Sequence, residues 1–106
     1  MFNYMKIKDL LVDESCWTKR VFARDKDGQR IDYLDESAVK WCLLGALYKC
    51  YDGTGGKVFN KIFSVLKNYL TVWNNTHTIG GHITIWNDNP NRTFAEVKEL
   101  VERLDI

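Results

Sequence analysis

Punctuation and cross-links are scarce in this chain. One proline, Pro90, stands among 106 residues, with no internal repeat and no low-complexity segment to divide the sequence. Residues 1–106 are read as a single domain, at a length where a chain hides roughly two thirds of its unfolded surface. The three cysteines are an odd number and include no Cys-x-x-Cys pair. If Cys42 and Cys50 share a helix they sit about 12 Å apart along its axis, beyond the roughly 4.4 to 6.8 Å that a disulfide spans between α-carbons. The same separation keeps Cys42, Cys50, His77 and His82 from converging at about 2 Å around one zinc ion. No disulfide, metal or cofactor is expected.

An excess of charge is missing too. Fifteen basic residues stand against fourteen acidic ones, a formal net charge of +1, and neither sign forms a run. Binding to nucleic acid feeds on clustered cations, whereas Lys57, Lys61 and Lys67 are spread along one segment. Nucleic acid is therefore not an expected partner. The most continuously apolar stretch, WCLLGALY, falls far short of the roughly 20 residues of a membrane span. The first residues, MFNYMKIKDLL, lack a basic region followed by an apolar stretch and a small-residue cleavage site. A soluble cytoplasmic protein is expected.

What the chain does have is apolar and aromatic mass. Hydrophobic residues make up 45% and aromatic residues 13%, with four Trp, which calls for a packed core and excludes a disordered chain. From Tyr4 to Val12, Ile7, Leu10 and Leu11 fall on one face of a short amphipathic helix that ends before Ser15. Asp27-Gly28 separates two short segments in VFARDKDGQRIDYL, a favoured hairpin turn because both residue types accept positive φ. Asp35 is placed to cap a helix running from Glu36 to about Tyr51, whose circumference is almost wholly apolar and which therefore belongs at the centre. Gly45 inside it costs about 0.8 to 1 kcal/mol relative to Ala, a cost that a close approach by another backbone or ring would offset.

Val58, Phe59, Ile62, Phe63, Leu66, Tyr69 and Leu70 form a stripe at spacings of three and four, the clearest amphipathic helix in the chain. NNTHTIGG reads as loop, and the five alternating residues of HITIW do not choose between a strand and a helical turn. Thr93 with Glu96 fits a capping box, and Phe94, Val97, Leu100, Val101 and Leu104 line one face of the helix that follows. The fold class is mainly α, a small bundle of three to four helices around a central buried one, with a short β-hairpin or extended loop.

ARDKDG at 23–28, AVKWCLLGAL at 38–47 and WNDNPNRTFAEVKEL at 86–100 resemble, in this order and spacing, an uncharacterised family of small bacterial and phage-encoded proteins. Its members carry an Ala-Arg-Asp loop, a Trp-Cys-x-x-Gly-Ala helix and a Trp-Asn-Asp-x-Pro-x-Arg-Thr turn. The third motif is the specific one. Where the family turn has Gly this chain has Asn91, which also reaches left-handed conformations. The resemblance supports the fold and brings no activity with it.

Two constellations invite a functional reading. In the 85–97 turn, Asn87 or Asp88 can bond amides two residues on, Pro90 presets a dihedral, Thr93 caps, and Arg92 can pair with Asp88 or Asp25, so each polar residue has a structural use. Alternatively, Arg24, Asp25, Asn87, Asp88 and Arg92 face one another beside Trp86 as a polar pocket for a small anionic or aromatic ligand or a partner's acidic loop. The second set, Cys42, His82 and Asn87 or Asp88, follows the chain order of papain-like cysteine hydrolases. Its Cys42, however, falls two turns inside the expected helix, where burial raises the thiol pKa. His77 and His82 read as solvated loop residues. The expected function is a non-catalytic protein-interaction module, an accessory protein of bacterial or phage origin that binds a host protein, with inhibition as one possible consequence. The alternative is a small-ligand or thiol-hydrolase domain built on the Arg/Asp pocket or on Cys42 and His82.

Overall fold

The computed structural model describes residues 5–51, 56–66 and 79–106. Among them are five α-helices: α1 (Ile7–Leu10), α2 (Leu43–Tyr51), α3 (Gly56–Leu66), α4 (Ile79–Asp88) and α5 (Phe94–Leu104). Three two-residue strands, β1 (Ala23–Arg24), β2 (Arg30–Ile31) and β3 (Lys40–Trp41), form an antiparallel sheet in the order β2-β1-β3. The chain is mainly helical with a small sheet beside the helices, one strand more than a hairpin and more helices than the three or four expected.

α2 is the central element, as its all-round apolar sequence requires. Leu43, Leu44, Gly45, Ala46 and Leu47 are all buried, α1 and α4 pack against α2, α3 packs on α4, and α5 on α1. Val58, Ile62 and Leu66 of α3 and Val97, Leu100 and Val101 of α5 join Ile7, Leu10 and Leu11 in one core. The α3 stripe is thus realised as far as Leu66. Tyr69, Leu70, Trp73 and His77 lie outside the described residues. At the C-terminal end of α5, Asp105 adopts the left-handed conformation (φ 54°), and Ile106 closes back on α1 by accepting the Lys8 amide at 3.2 Å.

The central helix starts later than its sequence suggested. Asp35 does not cap it. Its carboxylate instead accepts the Ser37 amide at 2.8 Å in a turn, and Val39 and Lys40 extend to pair with β1, with the Val39 amide donating to the Arg24 carbonyl at 2.9 Å. β-Branched Val39 suits that extended backbone. The helix then begins at Leu43, whose amide is satisfied by a side chain 44 positions away, Asn87 Oδ1 at 3.0 Å. Local sequence cannot announce a cap supplied from another element.

Gly45 meets the close approach that its cost implied. A Cβ there would lie 2.1 Å from the Phe22 carbonyl oxygen, so the loop entering β1 crosses the first turn of α2 at a distance only glycine permits. The hairpin is present as well, with Ala23 opposite Ile31 and Arg24 opposite Arg30. Its turn departs from the expected two-residue form. Only Gly28 has positive φ (82°), and Asp25 organises the loop by accepting the amides of Asp27 and Gln29, each at 2.9 Å.

HITIW resolves as helix, within α4. Gly80-Gly81 and β-branched Ile83, Thr84 and Ile85 all disfavour that choice locally. Burial of Ile83 and Trp86 against the core overrides it, and the start of α4 at Gly80 lies beside Leu44 and the Tyr48 hydroxyl.

Candidate functional site

Asn87, at the C-terminal end of α4, is completely buried and uses every hydrogen-bonding position it has. Its Oδ1 accepts from Trp17 Nε1 at 2.8 Å and from the Leu43 amide at 3.0 Å. Its Nδ2 donates to the Thr18 carbonyl at 3.2 Å and to Asp88 Oδ1 at 2.9 Å. An amide side chain has two acceptor and two donor positions, and all four are filled. One residue thereby ties the 17–18 segment to the start of α2 and the end of α4.

Asp88 continues the junction by accepting the Arg20 amide at 2.9 Å, which holds Arg20 in the left-handed region (φ 75°). Arg24 secures the same loop from the sheet side, donating to Thr18 Oγ1 at 2.8 Å, the Gly28 carbonyl at 2.9 Å and the Lys19 carbonyl at 3.3 Å. Of the six residues expected to surround one polar pocket, Arg24, Asn87 and Asp88 therefore meet around the 18–20 loop. Asp25 is spent on the hairpin turn. Trp86 and Arg92 form a separate pair, with the guanidinium 4.0 Å from the indole centroid, its Nε donating to the Trp86 carbonyl at 3.0 Å and its Nη1 to Glu96 at 2.9 Å. Glu96, not Asp88 or Asp25, is the partner of Arg92. Asn89, not Asn87 or Asp88, makes the short-range turn bond, to the Asn91 amide at 2.9 Å. The Thr93 and Glu96 capping box forms as the sequence indicated. The Trp86 indole N–H is buried without an acceptor among the described residues.

Cys42 stands immediately before α2, not two turns inside it, and it remains buried at 3% exposure. Burial pushes its thiol up to about 11, and the Gly45 amide, donating to Sγ at 3.2 Å, only partly offsets this. His82 is also 3% exposed and lies on helix α4, neither on a strand nor in a solvated loop. Asn87 has no free atom with which to orient an imidazole. The three cysteines are free, and no three His, Cys, Asp or Glu side chains come together as metal ligands among the described residues.

A cleft of about 630 Å³ lies at the open end of the β1–β2 hairpin. Segments 20–22 and 30–32 line it together with Cys42, Thr84 and Asp88. Asp88 is the one residue of the expected pocket that reaches it. Arg20, Phe22, Arg30 and Asp32 were not singled out from the sequence, and their only local signal is that they flank a recognisable Asp-Gly hairpin.

The chain matches the family of unknown function DUF6197 over residues 4–104 and belongs to that family. No curated protein and no solved structure matches it. No described helix is long and apolar enough to cross a membrane.

Proposed function

We propose that this family member is a non-catalytic protein-interaction module whose recognition surface is the cleft between residues 20–22 and 30–32. The observation that carries this reading is Phe22. The residue is 45% exposed, yet its ring is held edge-on by Tyr33 and Tyr48 at centroid distances of 6.1 and 5.8 Å, on the wall of the cleft. An exposed ring that is already fixed loses little freedom on binding, and such anchors dominate interface energetics. Leu34 and Val39, also exposed, add apolar surface to the same part of the chain.

Chemistry at Cys42 argues against a hydrolase. A thiol displaced to about 11 is almost wholly protonated at neutral pH, and the Asn87 amide is fully committed elsewhere. Small size and balanced charge support the wider reading of a cytoplasmic accessory protein, bacterial or phage, that inhibits a host protein by occupying a surface.

The test is a peptide-display selection on the folded protein. Selected peptides should bind Cys42→Ser about as well as the unaltered protein and lose roughly tenfold or more in affinity on Phe22→Ser. Binders indifferent to Phe22, or a selection that enriches nothing, would remove the cleft as a recognition surface. Turnover of a thioester or peptide substrate that disappears with Cys42→Ser would instead establish the enzymatic alternative.

A further inference from the structure

Among the described residues, two guanidinium groups line the cleft without partners. Arg24 and Arg92, elsewhere in the molecule, are each committed to two or more hydrogen bonds. Arg20 and Arg30 both border the cleft, and neither side chain makes a salt bridge or hydrogen bond among the described residues. Arg20 is also held in a backbone conformation that costs a non-glycine residue about 1 kcal/mol or more. The Asp88 carboxylate maintains that conformation from below, and buried Asn87 fixes the carboxylate in turn. Strain retained at a cleft edge, supported by a fully satisfied polar junction, is an arrangement that positions a side chain for use.

The acceptors in the cleft narrow what can enter. Asp32 and Asp88 line it too, and the bonds each makes use Oδ1: Asp32 accepts the Leu34 amide at 2.8 Å, and Asp88 accepts from Arg20 and Asn87. Each carboxylate keeps a second oxygen. A bare inorganic anion attracted by the arginines would also meet these two negative charges. A peptide carries N–H donors for the carboxylates along with any acidic group for the arginines, so it matches both signs. Phe22 and Ile31 supply an apolar wall alongside.

We infer that the cleft recognises a segment of a partner protein in which an acidic side chain adjoins a large apolar one, the carboxylate pairing with Arg20 and Arg30 and the apolar group packing on Phe22 and Ile31. This rests on the reading of the protein as an interaction module and specifies the partner's chemistry.

The experiment is a positional-scanning library of acetylated, amidated hexapeptides, read by fluorescence anisotropy at low and high salt. One position should prefer Glu or Asp over Gln or Asn by roughly tenfold or more, the scale of a lost charged hydrogen bond. A neighbouring position should prefer Phe, Leu or Ile. The double variant Arg20→Gln with Arg30→Gln should lose the acidic preference and keep the apolar one, with an unchanged thermal midpoint. Phe22→Ser should do the reverse. An apolar preference without an acidic one would overturn this inference and leave the interaction module standing. No positional preference at all would overturn both. Free glutarate competing as effectively as the best acidic peptide would overturn the peptide as the source of the carboxylate.

Discussion

Trp86 and Asn87 are neighbours on the last turn of α4, yet they belong to two differently built regions. On the Asn87 side, bonds run to Trp17, Thr18 and Leu43, between 44 and 70 positions away. On the Trp86 side, Arg92 reaches back six residues to a carbonyl and forward four to Glu96, and Thr93 caps its own helix. The first region joins separate elements through a saturated buried amide. The second builds one helix start from its own residues and leaves a buried indole N–H without an acceptor among the described residues. Long-range connections fix the cleft, whereas short-range ones fix only the entrance to α5.

That contrast breaks most sharply at Asn87. Asn87→Ala removes the acceptor of the Leu43 amide and of the Trp17 indole and the donor to the Thr18 carbonyl, in an interior where each unmet group costs about 1 to 3 kcal/mol. The expected loss is about 3 to 5 kcal/mol in urea unfolding, with the left-handed Arg20 conformation released as Asp88 loses its support. Trp17→Phe deletes one donor and trims a half-buried ring, and should cost about 1 to 2 kcal/mol. Equal losses for the two variants would mean that Asn87 contributes through the Trp17 contact alone.

Gly45→Ala comes next and tests the same region through shape. Helix propensity favours the change by about 1 kcal/mol, but the new methyl carbon would sit 2.1 Å from a backbone oxygen that cannot rotate away. Overpacking of this kind costs about 1 to 3 kcal/mol or more, so a net loss of about 2 kcal/mol is expected, together with weakened packing of the 20–22 segment. A gain in the thermal midpoint would show that the loop yields and that the close approach is not a constraint.

The legibility of the sequence divides along this line. α5 could be read because Thr93, Glu96 and its apolar stripe lie within one helix, and α2 could be placed at the centre because its residues are apolar on all sides. Gly45 likewise signalled a close neighbour without naming Phe22. The start of α2 could not be read, since its cap comes from Asn87 and β3 takes the residues that Asp35 was expected to lead into helix. α4 was hidden for a related reason: glycines and β-branched residues oppose a helix locally, and only burial against α2 and α3 decides for it. Of the candidate site, the motif residues were visible, but half of them serve turns and stacking, while the cleft draws on Arg20, Phe22, Arg30 and Asp32, which topology alone assembles.

On the local side, the expected effects are smaller. Thr93→Ala should cost about 1 kcal/mol, the usual value of an N-cap, and should leave the hydrogen-exchange protection of the Leu43 amide unchanged. Loss of that protection would join the two regions that the hydrogen bonds keep apart.

The smallest effect belongs to the chain terminus, where Asp105 pairs with Lys6 at 2.9 Å and Lys8 at 2.5 Å across the junction of α1 and α5. The Lys8 hydrogen bond, followed by that of Lys6, holds the Asp105 carboxyl down at about 2 against an ordinary 3.8. A carboxyl depressed on folding stabilises the folded state above its unfolded pKa, and the contribution fades as pH falls from about 4 to about 2 and the group takes up its proton. Because the pair is exposed to water, salt screens it. The unaltered protein should therefore melt slightly above Asp105→Asn at neutral pH and low salt, and the two curves should merge toward pH 2 or at high salt. A difference that persists at pH 2 and at high salt would assign the contribution of Asp105 to something other than its charge.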